Sequence, residues 1–122
     1  MSPSGAGLTT HVLDTAHGRP AVGLRVDLSI VEAGGRTRLL RTVTMNADGR
    51  CDTPLLAPDE MQVARYELVF HVGAYFRGSG VVLPDPPFLE EVPVRFAIAD
   101  RADRYHVPLL VSPYGYATYR GS

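Results

Sequence analysis

The carboxy-terminal stretch of the chain contains the residue types best suited to acid–base chemistry. Two apolar segments meet at Ser112-Pro113, His106 lies near the start, and Tyr119-Arg120-Gly121-Ser122 forms the end. A chain end is usually poorly constrained, yet this one supplies a phenol, a guanidinium and a hydroxyl. An imidazole exchanges protons near neutral pH, and a guanidinium offers forked donors to carbonyl or anionic oxygens. These residue types favour a catalytic site near the tail.

Two further candidates lie early in the chain. Residues 8–14 read as a strand in which His11 shares its face with Thr9 and Leu13. By the same period of two, His106 faces away from the more regular apolar side of its own strand. Arg50 directly follows the turn formed by Asn46-Ala47-Asp48-Gly49. Each histidine alone is more typical of a structural position, but with Arg50 and the polar tail they form a candidate site.

Other constellations are weaker. A triad could be drawn from Ser122, His106 and Asp14, but no nucleophile-elbow sequence supports it. The two candidate histidines could hold zinc, yet neither an H-x-x-x-H motif nor a cysteine-rich spacing is present, so we expect no metal. Cys51 is more typical of a small buried residue than of a nucleophile. For His17 the sequence favours a solvated position in a turn, and for His71 it favours a surface or interface position.

Composition narrows the class of protein. A chain of 122 residues predicts one domain, which we place at residues 8–122, after a disordered or poorly packed extension at residues 1–7. A net charge of -1 gives no reason to expect nucleic acid or an anionic membrane as a partner. All 12 basic residues are arginine, so lysine Schiff-base chemistry is excluded. The single cysteine permits no internal disulfide, and neither a signal peptide nor a membrane-spanning run is visible, so we expect a cytoplasmic protein.

Short alternating segments predict an all-β fold. The clearest is residues 24–30, where Leu24, Val26, Leu28 and Ile30 alternate with polar residues. Turn residues separate the segments, and Pro93 marks the strand at 92–98 as an edge strand or a bulge. Strands at this regular spacing indicate a sandwich or a barrel. The eight candidate strands are residues 8–14, 24–30, 36–44, 50–55, 66–72, 92–98, 105–111 and 114–120.

Six motifs spread between Leu8 and Ser122 carry a family resemblance. They are Leu8–Asp14, Gly18–Ala21, Asn46–Arg50, His106–Leu110, Ser112–Tyr116 and Tyr119–Ser122. Together they resemble the transthyretin-related 5-hydroxyisourate hydrolases. The terminal tetrapeptide discriminates most, because the hormone-carrying transthyretins of similar fold lack it. Mild departures from the family pattern, none in the candidate site, occur at His17, Val111 and Ala117.

The resemblance implies a fold, a reaction and an assembly. The fold would be a transthyretin-like two-sheet β-sandwich of about eight strands, with one short helix near residues 74–79. The reaction would be hydrolysis of 5-hydroxyisourate to 2-oxo-4-hydroxy-4-carboxy-5-ureidoimidazoline in urate breakdown, without a cofactor. The assembly would be a homotetramer, a dimer of dimers with substrate clefts between the dimers, whose partner subunit could trap the tail.

The resemblance also assigns roles to residues. It implies catalytic roles for His11, Arg50, His106 and Ser122, and substrate binding by His11, Arg50, Tyr119 and Arg120. We expect the two histidines to share the activation of water and Arg50 to clamp the substrate. Which histidine is the base stays open.

Two other classes of function remain in view. One is a transthyretin-like carrier of an apolar hormone, whose channel should be lined by aliphatic groups. The other is a structural sandwich with no small ligand, in which histidine and arginine would be scattered over the surface. The position of His11, Arg50 and His106 relative to one another discriminates among the three.

Overall fold

The computed structural model describes residues 6–121, which contain eight strands and one α-helix. Short 3-10 turns occur at Ala33–Gly35 and Pro58–Glu60. The strands are β1 (Gly7–Asp14), β2 (Arg19–Pro20), β3 (Arg25–Val31), β4 (Thr37–Thr44), β5 (Ala64–Phe70), β6 (Val92–Ile98), β7 (Arg104–Ser112) and β8 (Gly115–Thr118). The helix α1 (Val72–Gly78) follows β5.

The strands form two four-stranded sheets, in the orders β2-β1-β7-β8 and β4-β3-β5-β6. The pairing of β1 with β7 is parallel, whereas the other strand pairs among the described residues are antiparallel. Apolar side chains from both sheets fill the space between them and are almost fully buried, as in other β-sandwiches. The predicted transthyretin-like sandwich of about eight strands is confirmed.

Alternation along β1 and β7 decides which side chains face the core. In β1, residues 8, 10, 12 and 14 are buried, whereas Thr9, His11 and Leu13 are only partly buried. In β7, the odd-numbered residues from 105 to 111 point inward, and His106 lies on the outer side. Because β1 and β7 are neighbours, the two candidate histidines share the outer face of one sheet.

One predicted strand does not form. The segment 50–56 is bridged to β1 at its two ends, by His11↔Arg50 and Leu8↔Leu56, and the backbone N–H of Leu55 also donates to the Leu8 carbonyl at 2.8 Å. Three positions separate Leu8 from His11, whereas six separate Arg50 from Leu56, so the segment must bow away from β1 and cannot form a ladder. The two-residue strand β2 pairs with the end of β1 instead and brings the total to eight.

The helix begins slightly earlier than the resemblance implies. It covers Val72–Gly78 and buries Val72, Gly73 and Phe76 against the core. It ends where the backbone N–H of Ser79 donates to the Tyr75 carbonyl at 3.0 Å. Helix α1 has seven residues, and no helix within residues 6–121 has the length and apolar character that a bilayer crossing requires.

The predicted boundary at residue 8 lies one residue inside the sheet. Strand β1 starts at Gly7, which pairs with Arg104 on β7. Strand β6, which contains Pro93, lies at the end of its sheet, as the edge position predicted from this proline requires. Residues 1–5 of the predicted extension lie outside the described residues.

A fully buried carboxylate ties β1 to the helix. Asp14 accepts hydrogen bonds from the Tyr75 hydroxyl at 2.7 Å and from the His17 backbone at 3.0 Å, and its Oδ2 lies 2.6 Å from Nδ1 of His17. Burial alone would raise the pKa of Asp14, but the hydrogen bonds from Tyr75 and His17 outweigh it and lower that pKa. The ionised carboxylate therefore stabilises the fold above the ordinary aspartate pKa, and this stabilisation is lost as pH falls through the lowered value.

We expect Asp14→Ala to lower the free energy of unfolding by about 1–3 kcal/mol, because it removes the buried acceptor that the Tyr75 and His17 donors share. Urea denaturation near neutral pH, at one fixed protein concentration, measures the change. The difference from the wild type should narrow as pH falls through the carboxyl pKa. The matched control is Asp59→Ala, at an exposed position in the 3-10 turn, and equal effects of the two substitutions would contradict a structural role for Asp14.

Candidate active site

A tight turn places Arg50 beside His11. The side-chain oxygen of Asn46 accepts hydrogen bonds from the backbone N–H groups of Asp48 and Arg50, at 2.9 and 3.1 Å. Gly49 has a φ of 72°, and a Cβ there would lie 2.6 Å from the carbonyl oxygen of Val12. Only glycine satisfies both conditions, so the turn can dock on β1 and bring Arg50 opposite His11.

The bowed segment after Arg50 forms one wall of a groove. The groove has a volume of about 380 Å³ and lies against the outer faces of β1 and β7. A volume of this size suits a small-molecule ligand. His11 lies beside it on the same sheet face. The lining residues are Thr9, Thr10, Arg50, Cys51, Asp52, Thr53, Pro54, Arg104 and His106.

The electrostatics of the groove favour neutral imidazoles. Burial lowers the pKa of His11, and the nearby Arg50 charge lowers it further, against a smaller opposing effect of Asp48. Burial likewise lowers the pKa of His106, with further lowering by Arg50, His11 and Arg104. Both imidazoles therefore stay unprotonated to lower pH than an ordinary histidine, and can accept a proton near neutral pH.

His106 is held by contacts on two sides. Its Nδ1 lies 2.8 Å from the Thr9 hydroxyl on the neighbouring strand. Its carbonyl oxygen accepts a hydrogen bond from the backbone N–H of Gly121 at 2.7 Å. The tail thus lies along β7 of its own chain at Gly121, whereas the sequence analysis expected that a partner subunit could trap it.

Two predicted substrate-binding residues lie away from the groove in the single chain. The Arg120 guanidinium donates to the Asp103 carboxylate at 3.0 Å and to the Arg104 carbonyl at 2.9 Å, and lies 4.1 Å from the ring centre of Tyr105. Tyr119 and Arg120 line a separate cavity of about 190 Å³ between β6 and β8. The predicted catalytic Ser122 lies outside the described residues.

The structure also bears on the weaker candidate sites. Asp14 belongs to the inner face of β1 and binds His17 and Tyr75, so it cannot form a triad with His106 on the outer face. Burial, aided by the Asp52 carboxylate, raises the pKa of the Cys51 thiol, which leaves little thiolate for nucleophilic attack. Within residues 6–121, no group of three or more histidine, cysteine, aspartate or glutamate side chains could hold a metal ion.

Sequence reasoning missed Arg104 and Thr9 as site residues. Arg104 lines the groove and contributes to the lowered pKa of His106. Strand alternation could have found both residues, since Arg104 is two positions before His106 and Thr9 is two positions before His11. His11, Arg50 and His106, by contrast, come together as the sequence suggests.

Comparisons with known proteins identify a family and named relatives for this chain. A family model described as the HIUase/Transthyretin family matches residues 8–121. The protein named 5-hydroxyisourate hydrolase 2 from Rhizobium meliloti is 62% identical over 122 residues, which cover 100% of each chain.

Solved structures point the same way. The structure of Klebsiella pneumoniae 5-hydroxyisourate hydrolase superposes with a TM-score of 0.75 at 36% identity, covering 94% of this chain and 98% of that one. The crystal structure of an (S)-allantoin synthase superposes with a TM-score of 0.88 at 42% identity, covering 95% of this chain and 43% of that one. With a matching family model and a close relative over its whole length, the chain belongs to the HIUase/Transthyretin family.

Proposed function

We propose that the protein is a hydrolase that opens 5-hydroxyisourate to 2-oxo-4-hydroxy-4-carboxy-5-ureidoimidazoline in urate breakdown, without a cofactor. The observation that carries the proposal is the convergence of His11, His106 and Arg50 beside one groove, with both histidine pKa values lowered. The named relatives supply the identity of the substrate.

The histidines activate the water. A neutral imidazole takes a proton from water while the water oxygen bonds to an activated ring carbonyl carbon. The ring C–N bond then breaks, and the imidazolium returns the proton to the departing nitrogen. Proton transfer of this kind contributes about 10²–10⁴-fold to the rate. His11 and His106 share this task, since both lie on the outer face of one sheet and each is coupled to the charge of Arg50.

Arg50 binds the flat substrate and its developing charge. Its side chain is exposed at the groove wall, where a planar guanidinium can donate two parallel hydrogen bonds to adjacent oxygens. Negative charge that develops on the attacked oxygen is stabilised by the same donors. Arg104, on the strand that carries His106, adds a second positive charge to the groove.

A carrier of apolar hormones is the less favoured alternative. Such a protein needs an aliphatic binding surface, but arginine, histidine and threonine line this groove. Arg50 and Arg104 would lose hydration to an apolar ligand without gaining a partner. A purely structural sandwich is disfavoured too, because its histidines and arginines would not converge at one concave surface.

A homotetramer, built as a dimer of dimers, completes the proposal. Strands β6 and β8 each lie at one of the two edges of their sheet, and a free edge can pair with another chain. Tyr116 and Tyr119, in and just after β8, are 48% and 59% exposed, which suits an interface rather than solvent. A second dimer over the outer face of β1 and β7 would close the groove. Tyr119, Arg120 and Ser122 keep proposed roles through the tail, which reaches the groove at Gly121. The cytoplasmic location stays a prediction.

Substitution at the site should abolish catalysis while the fold persists. We expect His11→Asn and Arg50→Ala to cut the rate of 5-hydroxyisourate decay by about 10²-fold or more, since each removes a proton acceptor or a charge clamp. Loss of near-ultraviolet absorbance, after urate oxidase generates the substrate, reports the rate. The control His71→Asn changes a histidine that binds Asp27 on the other sheet, and should keep wild-type activity. Full activity in both site variants would refute the assignment.

Removing the Arg50 charge should raise the pKa of both site histidines. Arg50 lowers the pKa of His11 and of His106, so Arg50→Gln relieves the repulsion of each imidazolium. NMR titration of the ring resonances measures both values. The control Arg65→Gln removes a charge from β5 of the other sheet and should move neither value. Unchanged titration in Arg50→Gln would contradict the proposed electrostatic coupling.

Dilution should inactivate the enzyme if the groove is complete only in the tetramer. We expect specific activity to fall in parallel with the tetramer fraction, because the second dimer closes the groove and excludes bulk water. Analytical ultracentrifugation and the absorbance assay, run over the same concentration series, give the two curves. A fully active monomer would overturn the proposed link between assembly and turnover.

A further inference from the structure

We infer that Thr9 and Gly121 are positioning residues for His106: the hydroxyl selects the ring tautomer, and the missing side chain of the glycine makes room for the ring. Together they leave Nε2 as the ring nitrogen that faces the substrate. This inference rests on the proposed function for its kinetic consequences, but its structural part can be tested without any activity.

The Thr9 hydroxyl is the hydrogen-bond partner of one of the two ring nitrogens of His106. Thr9 lies directly opposite His106 in the parallel register of β1 and β7, with its hydroxyl oxygen 2.8 Å from Nδ1. A threonine hydroxyl oxygen can accept the hydrogen bond that an Nδ1–H group donates. That arrangement places the lone pair of the neutral ring on Nε2, which a general base requires. The same Nδ1–H bond persists when Nε2 becomes protonated, so the ring need not move during proton transfer.

Gly121 fixes the ring from the tail side. A Cβ built at this position would lie 2.7 Å from Cδ2 of His106, 3.3 Å from Cγ and 3.4 Å from Cβ. The backbone N–H of Gly121 also donates to the His106 carbonyl at 2.7 Å, so the tail cannot shift away without breaking this bond. The imidazole is thus enclosed between β1 and the tail.

The requirement for glycine comes from the ring and not from the backbone. Seven glycines among the described residues have φ values in the left-handed region, and Gly121 is not one of them. An alanine could therefore adopt the Gly121 backbone without strain, and the three atoms nearest its methyl group would all belong to the His106 side chain. This distinguishes Gly121 from Gly49, where both the positive φ and the close approach of Val12 demand glycine.

Gly115 provides a matched control for Gly121. It too lies outside the left-handed group, at the start of β8 on the same tail hairpin. A Cβ at Gly115 would meet a single atom within contact range, the Ser112 hydroxyl oxygen at 3.9 Å. Gly115→Ala therefore makes the same chemical change in the same hairpin without touching His106.

The first experiment measures the ring directly. Nitrogen-15 NMR of the histidine side chains in the wild-type protein should show His106 as the Nδ1–H tautomer at pH values above its pKa. We expect Thr9→Val to mix the two tautomers and Thr9→Ser to restore the wild-type pattern. Gly121→Ala should shift the His106 ring signals, whereas Gly115→Ala should leave them in place. A wild-type ring in the Nε2–H form, or unchanged signals in both Thr9→Val and Gly121→Ala, would overturn the inference whatever the activity.

The second experiment separates kcat from KM. We expect Thr9→Val to lower kcat about three- to tenfold, the scale of one lost hydrogen bond, with KM nearly unchanged. Gly121→Ala should lower kcat by up to about 100-fold, because a shift of about 1 Å misplaces the base. In the double variant the losses should be less than multiplicative, since both act through one ring. Thermal unfolding identifies variants that merely fail to fold.

The outcomes of the two experiments are distinguishable. Wild-type protein that lacks hydrolase activity but shows the expected ring signals would refute the proposed function and leave the positioning role standing. Active wild-type protein in which Gly121→Ala and Gly115→Ala lose kcat equally would instead refute the role of Gly121 and leave the proposed function standing.

Discussion

The parallel pairing of β1 with β7 is the constraint on which the site depends. Among the described strands it is the one parallel contact, and it sets Thr9 beside His106 and His11 beside Pro108. A slip by one residue would turn one histidine toward the core, because side chains alternate between the faces of a sheet. The register is held by burial of Leu8, Val12 and their β7 counterparts between the sheets. Core packing thereby positions two imidazoles that do not belong to the core.

The groove arises from a mismatch in length between two segments. Residues 50–56 contain more chain than the stretch of β1 that they span, so the middle of the segment stands away from the sheet. Cys51 to Pro54 then become a wall of the groove, and not part of a strand. The docked turn at Gly49 fixes one end of this wall and thereby places Arg50 within electrostatic reach of both histidines. The irregular backbone thus lies at the candidate ligand groove, as is common for binding loops.

Much of the fold could be predicted from the sequence, because alternation is strong where one face of a strand is buried. Seven of the eight predicted strands match observed ones, and His11 and His106 lie on the faces that alternation assigns. The strand at 50–55 could not be judged by the same rule, since its fate depends on how many residues lie opposite in β1. Parallel neighbours are distant in sequence, so Thr9 could be linked to His106 only through the register. The position of the Arg120 guanidinium depends on Asp103 and Tyr105, which no periodicity indicates.

The partners of each histidine distinguish the two structural histidines from the two proposed catalytic ones. His17 and His71 each contact a carboxylate, Asp14 at 2.6 Å and Asp27 at 2.8 Å, so a ring nitrogen is committed to holding the structure. The Arg50 charge instead lowers the pKa values of His11 and His106, because it disfavours the imidazolium form. An imidazole that resists protonation is a competent base near neutral pH, whereas a carboxylate-bound one is a fixed contact. In the proposed mechanism Arg50 therefore has two roles: it keeps the histidines unprotonated and ready to accept a proton, and it offers donors to the oxygens of the substrate. In the proposed mechanism, a substrate that brings negative charge to Arg50 weakens the repulsion on the imidazolium, so the imidazole takes up a proton more easily as the water oxygen attacks the carbonyl carbon.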